Sequence, residues 1–252
     1  MSEHRLSSQG AQRWRTWALG LAVASCACVY VLAVGTTQAS AVERARKCGA
    51  AAPRTAKLPG WVRKRRATVL VDSVLLGGFP AVRSRRPCWR VTKFGRPALM
   101  IRIAERELRQ RGGRVAPLVI VGLGYNSLWE RGRRRYGHWA KRFDGEARGL
   151  LRTLRRLGAR QIVWVTLRQP TARTVSPRAR GDLGQYSWYF PYVNERLRRL
   201  DRRTKDLVLA DWRAASDRPG VPYDTIHLNP VGARLMARTI WRAVSDAGRR
   251  PG

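Results

Sequence analysis

Four short apolar runs constrain this chain more than any other feature in it. Thr68 to Val71, Leu118 to Leu123 ("LVIVGL"), Ile162 to Leu167 ("IVWVTL") and Leu207 to Ala210 ("LVLA") are β-branched or aliphatic at almost every position. A strand apolar on both faces must be covered on both, which is the condition of a parallel sheet between two helical layers. Trp89 to Phe94 is a weaker fifth run. The intervening segments carry helical patterns: Pro97 to Gln110 stops at Gly112-Gly113, and Trp139 to Leu157 stops at Gly158. Phe190 to Arg203 sets Leu197 and Leu200 on one face, and Pro230 to Ala247 opens at a proline. The predicted fold is α/β, a three-layer α/β/α sandwich with a roughly five-stranded parallel sheet, whose functional groups gather at the C-terminal strand ends. No internal repeat is visible.

The N-terminus is a separate matter. Residues 1–15 form a basic tail with Arg5, Arg13 and Arg15, and residues 16–41 contain no charged side chain. The centre of that stretch, Trp17 to Gly35, has the length of a membrane span, so one N-terminal transmembrane or signal helix is expected. Ala39-Ser40-Ala41 fits a signal-peptidase site, so a cleaved signal and a retained anchor both stand. Residues 42–66 are rich in Ala, Pro, Gly and basic side chains without a sustained period, and read as a linker; the domain proper is 67–252.

Arg44, Arg46, Lys47, Arg54 and Lys57 follow the apolar segment, which by the positive-inside rule argues against export. Long C-terminal domains translocate largely regardless of charge, and the cysteines point outward. Cys26 and Cys28 lie within the apolar stretch. Only Cys48 and Cys88 remain, and two cysteines in an exported domain suggest one disulfide. The domain is therefore expected on the extracytoplasmic side, membrane-anchored or secreted.

Charge limits the partners. The 252 residues include 51 Lys and Arg, only six of them Lys, against 16 Asp and Glu, a net +35. Only three of the basic residues precede position 42, so the charge belongs to the domain. Such a surface attracts anionic lipid or acidic wall polymers. Runs such as "RGRRRYGHW" could also track phosphates, but charge alone reports non-specific attraction and no nucleic-acid motif accompanies it. A non-catalytic polyanion- or nucleic-acid-binding protein is thus the contrasting reading.

Polar residues cluster at the predicted strand ends. Asp72-Ser73 follows the first strand, "GYNS" (Gly124 to Ser127) follows the third, and "YDTIHLNPVGA" (Tyr223 to Ala233) precedes the last helix. Of the three histidines, His4 is in the tail and His138 in the basic run, leaving His227 as the natural general base. A serine needs an imidazole to take its proton, and the imidazole needs an acceptor on its other nitrogen. Ser73, His227 and Asp224 supply that set, since a tight turn lets Asp224 fold back onto a ring three residues later. Oxyanion donors would be the N–H of Ser73, the N–H of Gly95 in "KFGRP", and the amide of Asn126. Each residue has a plainer use: Ser73 or Asp224 as a cap, Asn126 as a loop brace. No metal or nucleotide cofactor is implied, because no ligand cluster is visible and "GLGYNS" is too short for a dinucleotide loop.

The order of these blocks resembles the SGNH (GDSL-type) hydrolases: Asp-Ser after the first strand, Gly after the second, Gly-x-Asn after the third, and Asp-x-x-His-Leu-x-Pro-x-Gly before the last helix. The likeness spans roughly Ala67 to Ala247. It is nearest to the branch associated with acyltransferases that O-acetylate cell-envelope glycans, where "VDW" recurs, here Ala210-Asp211-Trp212. The resemblance implies a flavodoxin-like fold, with Ser73 as nucleophile, Asp224 and His227 completing the triad, and Gly95 and Asn126 as oxyanion donors. It implies a serine esterase acting on small acyl, notably acetyl, esters of glycans, or an O-acyltransferase whose donor a membrane protein delivers. Two positions depart from the family: Val71 stands where Gly usually precedes Asp-Ser, and Ser127 where Asp often follows the Asn.

Overall fold

The fold is seen in a computed structural model that describes Cys48 and residues 59–127, 136–183 and 188–249, the side chains of 136–141 and 182 excepted. The chain divides into two units, Met1–Ala52 and Pro53–Gly252, and everything below concerns the second unless stated. The expected signal or anchor helix lies outside the described residues, among which no helix is long and apolar enough to cross a membrane.

The elements follow in the order α1 (Gly60–Arg63), β1 (Arg66–Val71), α2 (Ser73–Ser84), β2 (Arg90–Gly95), α3 (Ile101–Arg111), β3 (Leu118–Gly122), α4 (Tyr136–Arg156), β4 (Gln161–Val165), a 3-10 turn (Pro177–Asp182), α5 (Phe190–Arg202), β5 (Leu207–Ala210), α6 (Trp212–Ala215) and α7 (Pro230–Arg249). The five strands form one parallel sheet in the order β2-β1-β3-β4-β5. Strands β3 and β4 are buried at every position, as runs apolar on both faces require. The weaker run became β2, an edge strand whose Thr92 and Lys93 face solvent. Helix α2 packs on α7, while α3 packs on α4 and α4 on α5, giving the two outer layers.

Two departures from the sequence reading have physical causes. Part of the expected linker is ordered: Pro59 turns the chain into α1, its carbonyl taking the N–H of Val62 at 2.9 Å, and β1 begins at Arg66. More consequential is α2, a helix that runs through Gly77, Gly78 and Pro80. Two glycines and a proline lower helix propensity by roughly 1 and 3 kcal/mol each, which hides such a helix from any pattern reading. Capping and packing override propensity here. Asp72 caps α2, accepting from Val74 N at 3.0 Å and Leu75 N at 3.4 Å, and Val74, Leu75 and Val82 are buried against the core.

Candidate active site

The strand-to-helix junction at Val71-Asp72-Ser73 positions the first functional side chain. Strand β1 lies between β2 and β3, with Val71 paired to Gly95 on one side and Gly122 on the other. The chain turns immediately into α2, so Ser73 is the first helical residue. Its N–H is one of the first-turn donors that the helix ladder leaves over, and it sits at the positive end of the helix dipole.

His227 arrives from a loop closed on itself. Pro222 and Leu228 form an isolated antiparallel bridge, and Tyr223 N donates to His227 O at 3.0 Å. Inside this loop Asp224 Oδ1 accepts the N–H groups of Ile226 and His227 at 2.8 and 2.7 Å, which is the tight turn that the Asp-x-x-His spacing needs. The loop then feeds α7, where Asn229 Oδ1 caps Gly232 N at 2.9 Å and Pro230 takes the first helical position. Gly78 lets α2 approach: a Cβ there would stand 3.1 Å from Leu228 Cδ1.

The result is a continuous relay. Ser73 Oγ is 3.0 Å from His227 Nε2, and His227 Nδ1 is 2.7 Å from Asp224 Oδ2. Burial pushes the Asp224 carboxyl upward, but the hydrogen bonds from the His227 ring and the two backbone N–H groups outweigh it and hold the group below the usual carboxylate range. An ionised Asp224 keeps the proton of neutral His227 on Nδ1 and leaves Nε2 as acceptor toward the serine. The pair and its serine are part-exposed, so a substrate can reach them.

Gly95 and Asn126 flank the end of β1. Gly95 has φ +131°, and a Cβ on it would fall 2.1 Å from Val71 O, so only glycine permits this approach. Asn126 lies beyond β3, 8% exposed, and its buried Nδ2 has no hydrogen-bond partner. A buried donor left unpaired is uncommon, and this one is free to meet an incoming oxygen.

Sequence reasoning missed the braces of this loop. Tyr125 OH accepts Arg168 N at 2.7 Å, and Tyr125 O accepts the Tyr189 hydroxyl. Burial pushes both phenols up, so they stay protonated. Asp72 was visible but unassigned. It is fully buried, and desolvation raises its carboxyl to about 7 against the opposing N–H bonds of Leu75 and Val74. Tyr223 was also overlooked; its ring stacks on His227 with centroids 5.9 Å apart and planes 16° apart. The signal available in sequence was only its place before Asp224. Cys48 and Cys88 are both disulfide-bonded. His138 has no described side chain, and among the described residues no group of three or more His, Cys, Asp and Glu could hold a metal.

The five-stranded parallel sheet, in the order β2-β1-β3-β4-β5, is the fold of the SGNH (GDSL-type) hydrolases among the solved structures this chain resembles. The C-terminal catalytic domain of peptidoglycan O-acetyltransferase A from Streptococcus pneumoniae is similar over 73% of this chain and 95% of that one, at 17% identity and a TM-score of 0.52. A lipolytic G-D-S-L family protein from Veillonella parvula matches 71% and 98% at 13% identity and 0.57. The acetyl xylan esterase AlAXEase matches 71% and 99% at 14% identity and 0.55. No family model matches the sequence, and comparison with curated proteins finds no relative.

Proposed function

We propose that the protein is a serine esterase or acyltransferase acting on small acyl esters, acetyl foremost, carried by a glycan of the cell envelope. The observation that carries this reading is the unbroken relay from Ser73 through His227 to Asp224. Ser73 Oγ attacks the ester carbonyl while His227 Nε2 takes its proton, and Asp224 holds the imidazolium. The tetrahedral oxyanion is received by the N–H groups of Ser73 and Gly95 and by Asn126 Nδ2. His227 returns the proton to the leaving alcohol, giving the acyl-Ser73 ester, which water or a sugar hydroxyl then resolves by the reverse sequence.

Two features support the finer parts. Among the described residues the exposed large hydrophobics are Tyr223, 67% exposed, and Val231, 52% exposed, and both stand on the segment that bears His227. An open aromatic face beside the base suits the C–H face of a sugar ring. The disulfide-bonded state of Cys48 and Cys88 favours an oxidising, extracytoplasmic compartment.

The test uses the full chain and its Ser73→Ala variant with p-nitrophenyl acetate and methylsulfonyl fluoride. Wild type should release nitrophenol and gain one sulfonyl group on Ser73, and the variant should do neither. Equal labelling of both proteins would remove Ser73 as nucleophile.

A further inference from the structure

A second concave site lies far from Ser73. A cavity of about 330 Å³ opens between α4 and α5 and is lined by Arg148, Arg152, Arg155, Arg196, Arg199 and Arg203. Among the described residues Asp144 is the only carboxylate in its lining, and Leu151 and Leu200 form its apolar floor. Arg155 is bound to Asp206, the residue before β5, which places this cavity toward the N-terminal ends of the strands, at the opposite end of the sheet from the triad.

The spacing is what brings the arginines together. Arg148, Arg152 and Arg155 recur at four and three residues on one face of α4, and Arg196 and Arg199 lie three apart on α5 with Arg203 four further on at its C-terminal cap. Like charges at these spacings destabilise a helix, and two such rows facing each other compound the cost. Three of the six guanidinium groups are neutralised internally. Arg196 forms a two-pronged pair with Asp144 at one end, Arg155 with Asp206 at the other, and Arg199 pairs with Glu195. Among the described residues Arg148, Arg152 and Arg203 have no carboxylate partner. Three unneutralised forks therefore converge on one hollow, whose ends the paired arginines hold in place.

We infer that this cavity binds the phosphate group of an anionic ligand. A guanidinium presents paired N–H donors that match phosphate oxygens two at a time, and three of them around one hollow offer more donors than a single carboxylate can use. Lysines would have served for diffuse attraction; the composition here is entirely Arg. The inference does not depend on chemistry at Ser73.

The experiment is a thermal melt of the full chain at fixed ionic strength, with chloride replaced by inorganic pyrophosphate or by water-soluble dihexanoyl phosphatidylglycerol. At about ten times Kd, wild type should gain about 4 °C. The variant R148Q/R152Q/R203Q should lose that gain, whereas R83Q/R85Q/R86Q, which removes equal charge from an exposed segment, should keep it. Arg152→Gln alone, the mildest change, should weaken the apparent Kd at least about threefold, guarding against a triple variant that fails to fold. A gain with pyrophosphate alone assigns a soluble phosphate ligand, and a gain with the lipid as well assigns a headgroup. Equal losses in the two triple variants, or no gain over chloride in wild type, would overturn the inference. Stabilisation by a DNA oligonucleotide only, unchanged in Arg152→Gln, would also overturn it.

Discussion

A Cβ on Gly95 would lie 2.1 Å from the carbonyl oxygen of Val71, so the two strand ends touch backbone to backbone. The contact fixes β2 against the turn that presents Ser73. Gly95→Ala must move one of the two strands and also hold an alanine at φ +131°, and it should destabilise the fold by at least about 2 kcal/mol. Urea denaturation checks this. A variant as stable as wild type would show that β2 can shift freely and that Gly95 is not needed for close approach.

Asp224→Asn separates electrostatics from geometry. The amide oxygen can still take the N–H groups of Ile226 and His227, so the turn should survive, with the melting temperature changed by little. The amide cannot hold His227 in the required tautomer or stabilise its cation, so kcat should fall about 10²- to 10⁴-fold. Kinetics on p-nitrophenyl acetate decide it. A loss below tenfold would point to another acceptor for the imidazole.

Asp72 should give the protein an unusual pH dependence. Its carboxyl is raised by burial from 3.8 to about 7, so between those values the folded chain keeps a proton that the unfolded chain has released. Stability from this group is therefore lost as pH rises through that window and levels off above it, by up to about 4 kcal/mol. Asp72→Asn retains a cap acceptor and carries no such proton. Chemical denaturation at pH 5 and pH 8 should show the difference between variant and wild type moving in favour of the variant at the higher pH. Parallel pH curves for the two proteins would mean that Asp72 is ionised in the fold throughout.

Tyr223 should matter to the carrier and not to the ester. Because its ring is exposed and lies against His227, Tyr223→Ala should raise KM for an acetylated oligosaccharide by about tenfold with kcat nearly unchanged. Hydrolysis of ethyl acetate, followed by pH-stat, should be unaffected. A matching loss on both substrates would place Tyr223 in support of the imidazole.

Much of this could be read from the chain because it rests on local rules. The runs at Leu118 and Ile162 are interrupted only by Gly122 and Thr166, and the strands they form are buried at every position. Pro230 and Gly158 mark a helix start and stop by the geometry of their own backbones, and Asp224 reaches His227 within one turn. Helix α2 was not legible, because Gly77, Gly78 and Pro80 argue locally against it, and the Asp72 cap outweighs them only together with packing on α7. Tyr125, Arg168 and Tyr189 brace one another across 43 and 64 positions of chain, a distance over which spacing carries no signal.

The sequence by itself determined which chemical groups are available and on which side of the sheet they emerge, since strand, turn and cap preferences act between near neighbours. Tertiary structure alone decided that His227 meets Ser73 across 154 positions, that Asn126 keeps an unpaired donor, and that six arginines surround one hollow. Those outcomes depend on how helices and loops pack over a common sheet, and packing is set by the shapes of residues far apart in the chain.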